Sequence, residues 1–232
     1  MKRVGILGGM GPEATLFLMQ KVINGVEVED DSYHIPMIVH QNTQVPSRIK
    51  RIFDANGADP APVLKKMAKD LQDMNCDFLA MPCNTAHYYY SDICESVTIP
   101  VLNMIELSTQ KLFEQKIFKI GVLASPAVKK IGVFEKSFKQ FELESKFPED
   151  DTGMLNVIKT IKKSGVDSST IAYFKSQVSK LANLECDGIL IGCTELSLLR
   201  DYIPTCLPCV DSLDCLVKKI ISIATETKEP SI

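Results

Sequence analysis

The strongest constraint on this chain is that it repeats itself. Val4-Gly5-Ile6-Leu7 and Ile120-Gly121-Val122-Leu123 share one pattern, 116 residues apart. Cys76-Asp77 and Cys186-Asp187 each precede a short apolar run, and each run leads to a second cysteine, Cys83 or Cys193, seven residues beyond the first. Self-similarity on this scale implies two units of the same build. A length of 232 residues suits two units of about 100–130 residues each. Strand-like and helix-like segments alternate throughout, the pattern of parallel α/β architecture. The expected fold is therefore two similar lobes, each a parallel-sheet α/β sandwich, related by a pseudo-two-fold axis around a cleft. The first lobe is expected to comprise 1–103 plus 207–232, the second 104–206.

Residues 3–8 read as a buried strand, followed by a glycine turn and a helix over 12–26. Further strands are expected at 36–42, 77–82 and, briefly, 101–104, with helices at 60–75 and 106–115. The pattern restarts with a strand at 119–124. Ser125-Pro126 then reads as an N-cap followed by proline in the first helical position. Two helical stretches flank Gly165, strands follow at 187–192 and 208–211, and a last helix at 214–225 precedes a polar tail.

Composition excludes several functions. The 26 basic and 29 acidic residues give a net charge of −3, so there is no basic field to draw nucleic acid or anionic lipid. No apolar stretch is long enough to span a bilayer, and Met1-Lys2-Arg3 runs into a strand rather than a signal-peptide core. The expectation is a cytoplasmic protein whose eight cysteines are thiols. With only His34, His40 and His87, a histidine metal site is poorly supplied.

The second cysteine of each unit carries the chemistry. Met81-Pro82-Cys83-Asn84-Thr85-Ala86-His87 and Ile191-Gly192-Cys193-Thr194-Glu195-Leu196 put a thiol just past the carboxyl end of a parallel strand, the edge where open α/β sheets bind ligands. Each thiol leads into a helix, whose positive end is expected to lower its pKa. Asn84, Thr85 and Thr194 add polar groups suited to a carboxylate. Cys76 and Cys186, in apolar surroundings, read as packing residues. Two thiols facing one cleft suit inversion of a carbon acid, which needs a base on one face and an acid on the other.

Gly5 to Pro12 (GILGGMGP), Pro82 to His87 (PCNTAH) and Gly192 to Glu195 (GCTE), in that order, resemble the cofactor-independent aspartate/glutamate racemases, in particular the aspartate racemase branch, over nearly the whole chain. The resemblance implies an active site between the lobes, a homodimer, no metal and no pyridoxal cofactor. It implies a small acidic amino acid as substrate, aspartate first and glutamate second, with Cys83 and Cys193 as the base/acid pair. Met10, Asn84, Thr85, Ser125, Thr194 and Glu195 fall in the substrate-binding set. Arg48 matches the family's arginine for the distal carboxylate, a group that a planar guanidinium grips bidentately. Lys163 is the best match to a family lysine nearby. Two positions depart from the family pattern: Ser47 stands where Asp is usual, and Ala124-Ser125-Pro126-Ala127-Val128 replaces a threonine-rich turn, Ser125 supplying one hydroxyl and Val128 none. A hydantoin racemase, a cysteine-dependent decarboxylase and a catalytically silent amino-acid-binding protein are the alternatives.

The glycines from Gly5 to Gly11 lack dinucleotide-binding spacing and are expected to admit close backbone approach. Cys206-Leu207-Pro208-Cys209 lacks the second pair a zinc site needs and reads as packing. His87 stands where it could polarise Cys83 or orient the helix entry. Glu195 could orient Cys193 or cap its helix. Tyr88 to Tyr90 read as packing or dimer contact.

Overall fold

In the computed structural model, residues 1–226 are described, and the expected polar tail at 227–232 lies outside them. The first half runs β1 (Val4–Gly8), α1 (Pro12–Asn24), β2 (Met37–Gln41), α2 (Arg48–Phe53), α3 (Ala61–Asp73), β3 (Phe78–Ala80), α4 (Tyr90–Cys94) and α5 (Met104–Glu114). The second runs β4 (Lys119–Leu123), α6 (Pro126–Ile131), α7 (Glu135–Gln140), β5 (Glu144–Lys146), α8 (Asp151–Ser164), α9 (Ser168–Asn183), β6 (Gly188–Ile191), β7 (Cys209–Asp211) and α10 (Ser212–Thr225). The sheet orders are β2-β1-β3 and β5-β4-β6-β7, all parallel. A single parallel bridge, Leu79 to Val101, stands in the first sheet where β7 stands in the second. The same winding order in both halves is the structural form of the sequence repeat.

The repeated residues have repeated reasons. A Cβ on Gly5 would lie 2.6 Å from Leu79 Cδ2, and one on Gly121 would lie 2.8 Å from Ile189 Cδ1. Both glycines therefore admit the side chain of the neighbouring strand at the same register position. Asp77 receives the Arg3 N–H on its carboxylate at 2.6 Å and donates its own N–H to Arg3 O at 2.8 Å. Asp187 does the same with Lys119, at 2.8 and 2.7 Å. The aspartate of each Cys-Asp pair thus latches the start of the central strand, while Cys76 and Cys186 are buried beside it.

Each half's last helix reaches the other half. Leu213, Leu216 and Ile220 of α10 pack with Val4, Ile6 and Leu18. Ile105 and Leu112 of α5 pack with Ile120 and Val122. A fully buried Leu or Ile contributes about 1.5–3 kcal/mol, so this exchange joins the lobes through core packing.

Two expectations change. The strand at 209–211 pairs with β6 in the second sheet, rather than returning to the first lobe with the rest of 207–232. The strand expected at 101–104 shrinks to one bridge because Asn103 already caps α5, accepting from Ile105 and Glu106 N–H. At Gly9, with φ +91°, the Asn42 backbone leaves no room for a Cβ, the close backbone approach expected of this glycine run.

Candidate active site

The carboxyl ends of β3 and β6 deliver Cys83 and Cys193 to one cavity, each thiol residue 8% exposed. A 3-10 turn follows each: Thr85–Tyr89 and Leu196–Tyr202. The first bonds of these turns run from Ala86 N–H to Cys83 O (3.2 Å) and from Leu196 N–H to Cys193 O (2.9 Å). The amides of Asn84, Thr85, Thr194 and Glu195 precede them and stand outside the helical ladder, as at any helix start. The cavity is narrow and is also lined by Met10, Arg48, Ile49, Asn84, Thr85, Ser125, Ile158, Lys162, Gly192, Thr194 and Glu195.

The residue after each cysteine crosses to the other lobe. Thr194 Oγ1 donates to Pro82 O at 3.0 Å. Asn84 Nδ2 donates to Ser212 Oγ at 2.9 Å, and that hydroxyl donates to Ile191 O at 2.9 Å. Asn84 Oδ1 is buried with no hydrogen-bond partner among the described residues. On a cavity wall, it is an acceptor suited to an ammonium group. Thr85 Oγ1 lies 3.3 Å from Ser125 Oγ, and Ser125 caps α6 by accepting Val128 N–H. Val128 turns into the second core at 1% exposure and gives the cavity nothing polar.

Charge is distributed unequally. Cys193 Sγ donates to Glu195 Oε2 at 3.0 Å, and Glu195 Oε1 lies 3.0 Å from Lys162 Nζ. Burial, then the Glu195 charge and hydrogen bond, push the Cys193 thiol well above its ordinary range, against the pull of Lys162. The expectation of a lowered pKa is thus reversed at Cys193, because burial and the neighbouring Glu195 carboxylate both disfavour its thiolate. Burial pulls Lys162 down, but Glu195 and Cys193 outweigh it and leave the ammonium stabilised.

Arg48 opens α2 behind the Ser47 cap. Its guanidinium makes long contacts to Val45 O (3.4 Å), Pro46 O (3.2 Å) and Met10 O (3.4 Å), and Nε is buried without a hydrogen-bond partner among the described residues. Three carbonyls therefore orient the head on the cavity wall without engaging it strongly.

Of the site residues expected from the sequence, only Lys163 lies off the cavity. It is exposed on α8, and its neighbour Lys162 takes the place. Consecutive helical residues point about 100° apart, so one position decides the matter. Ile158, one turn before Lys162, also lines the cavity and marks its phase. Ile49 and Gly192 complete the lining unanticipated.

His87 does not polarise the Cys83 thiol. Its Nδ1 pairs with Cys83 O at 2.9 Å, and Met104 N–H donates to Nε2 at 3.1 Å, which assigns the proton to Nδ1. Burial pulls its pKa down to about 4, so the ring is neutral. Glu195 makes no cap; it holds Cys193. Tyr89 is buried in the first core, and Tyr90 OH donates to Val101 O. Cys206 and Cys209 are free thiols, as are the other six. Among the described residues no cluster of three metal-ligating side chains occurs, and no helix is long and apolar enough to cross a membrane.

The family profile described as Asp/Glu/Hydantoin racemase matches residues 7–220. The broad specificity amino-acid racemase RacX of Bacillus subtilis (strain 168) is 27% identical over 223 residues, 94% of this chain and 96% of that protein. Picrophilus torridus aspartate racemase superposes with a TM-score of 0.83 at 24% identity, covering 99% of this chain and 96% of that one. Glutamate racemase isoform RacE1 of Bacillus anthracis gives 0.70 at 18%, covering 96% and 81%. The two solved structures share this chain's fold.

Proposed function

Because the chain belongs to the Asp/Glu/Hydantoin racemase family and is an amino-acid racemase, we propose that it inverts Cα of an acidic amino acid, aspartate before glutamate, using Cys83 and Cys193 as paired base and acid. The carrying observation is that both thiols line one cavity from opposite lobes. In this reading a thiolate on one face takes the Cα proton. The electron pair moves into the α-carboxylate as an enediolate, and the thiol on the other face delivers its proton to Cα. The two sulfurs end with their protonation states exchanged. Cys193 starts as the protonated partner, consistent with its raised pKa.

The amides outside the two ladders suit the α-carboxylate and its developing charge. Asn84 Oδ1 suits the ammonium, and Arg48 suits the distal carboxylate. The pair of sulfurs supplies both proton transfers, so the proposal needs no cofactor. The eight free thiols fit the reducing cytoplasm. The homodimer implied by the resemblance belongs to the same reading, and light scattering tests it.

Incubating L- and D-aspartate with the protein in deuterated water tests the proposal. Inversion with one deuterium at Cα is expected, abolished by Cys83→Ala and by Cys193→Ala. Binding without exchange would make the protein a silent amino-acid-binding protein, and full-rate inversion by either variant would end the two-base mechanism.

A further inference from the structure

Four residues after each cysteine, a side chain ties the turn to the helix that closes that lobe's sheet. In the first lobe it is His87. Its Nδ1–H donates to the carbonyl of Cys83 itself, at 2.9 Å, and its Nε2 accepts Met104 N–H at the start of α5. In the second lobe it is Ser197, whose Oγ donates to Asp211 Oδ1 at 2.9 Å. That oxygen also accepts Leu213 N–H at 2.8 Å and so caps α10. All three side chains are buried, at 5%, 4% and 2% exposure. The places in the repeat are equivalent, but the chemistry is not. One lobe uses an imidazole as donor and acceptor; the other uses a hydroxyl on a carboxylate. Neither His87 nor the Ser197–Asp211 pair lines the cavity.

We propose that His87 and the Ser197–Asp211 pair are positioning residues, each fixing the thiol of its own lobe, so that loss of one brace slows proton transfer at one face of the substrate only. The proposal rests on the two-base reading of the site. A buried hydrogen bond to the main chain beside a reacting group sets where that group stands, and misplacement by about 1 Å can cost up to roughly 100-fold in rate. His87 acts on the cysteine's own peptide, whereas Ser197 acts through its turn, so the first effect is the larger.

The variants are His87→Ala, which loses both the bond to Cys83 O and the link to Met104, and Ser197→Ala, which frees the turn while leaving the Asp211 cap on α10. Each is assayed in both directions with Cα-protonated and Cα-deuterated L- and D-aspartate. Slowing one sulfur makes its abstraction step more rate-limiting. The primary isotope effect therefore rises for the enantiomer that sulfur deprotonates and falls for the other. The expected result is opposite shifts in the two variants, at unchanged urea midpoint or after correction for it. Asp211→Asn, which keeps Oδ1 as acceptor, should behave more like wild type than Ser197→Ala. Shifts of the same sign in both variants, or no shift in either, would overturn the braces while leaving the two thiols in place. A wild-type protein that racemises neither aspartate nor glutamate would remove both readings together.

Discussion

Thr85 and Glu195 occupy equivalent positions, each two residues past its lobe's cavity cysteine, and bond differently: Thr85 Oγ1 lies 3.3 Å from Ser125 Oγ, while Glu195 Oε2 accepts from Cys193 Sγ at 3.0 Å. The two-fold repeat is broken chemically at the site it builds. One thiol has a carboxylate beside it, and that carboxylate is tethered to Lys162. Glu195→Gln removes the charge while leaving a group that can still accept a hydrogen bond. Because burial leads and Glu195 follows in raising the Cys193 pKa, the thiolate should form at lower pH in the variant, yet stay above an exposed cysteine. Iodoacetamide labelling at Cys193 as a function of pH measures this. Racemisation near neutral pH should fall, because the Cys193 pKa is then no longer matched to its place as the protonated partner.

Arg48 offers its guanidinium through long contacts to carbonyls alone, so its hydrogen-bonding capacity is largely unspent. Arg48→Ala should lower kcat/KM for aspartate by about 10- to 100-fold, the order expected for hydrogen bonds to a charged group. Alanine, which lacks the distal carboxylate, should lose much less. Equal losses would assign Arg48 to the α-carboxylate or to folding.

Lys162 and Lys163 separate by helical phase. Lys162→Ala should impair turnover, because it strips the counter-charge from Glu195 at 3.0 Å. Lys163→Ala should leave turnover and stability near wild type, within about 0.5 kcal/mol, as for an exposed residue without such a contact. The reverse pattern would mean that α8 is rotated relative to its observed phase.

That one-residue difference marks where the sequence stops being informative. The central strands and the cysteine turns are legible because glycine, aspartate and cysteine recur for the same local reasons in both halves. Gly5 and Gly121 admit a neighbouring side chain, and Asp77 and Asp187 latch a strand. The β5 strand leaves no such trace: Glu144–Lys146 is a polar edge segment and does not read as an apolar run. Lys162 and Lys163 are identical in type, and only packing of Met154, Ile158 and Ile161 fixes which one turns inward. The role of Ser197 is equally hidden, since its partner Asp211 comes from tertiary structure, whereas His87 reads from the sequence as orienting the helix entry but not as reaching Met104.

His87 and Asp211 also predict the response of stability to acid. Burial, with Asp214 adding to it, raises Asp211 to about 6, against hydrogen bonds from Leu213 and Ser197 and the charge of Lys21. Between its ordinary pKa and 6 the folded state binds more protons than the unfolded one, so this contribution to stability falls as pH rises through that window. His87, drawn down by burial to about 4, acts oppositely: the unfolded state binds more protons between 4 and 6.5, and stability rises with pH there. In the wild type the two largely offset each other between pH 4 and 6. Asp211→Asn keeps the acceptor for Leu213 N–H and removes one of the pair. The variant should therefore gain stability relative to wild type as pH rises from 4 to 7, by about 3 kcal/mol if the full shift is expressed. Its own stability should drop steeply on acidification as His87 is forced to charge. Urea denaturation at pH 4.5, 5.5 and 7 reads the difference directly, and a pH-independent gap between variant and wild type would show that the Asp211 carboxyl has the same pKa folded and unfolded.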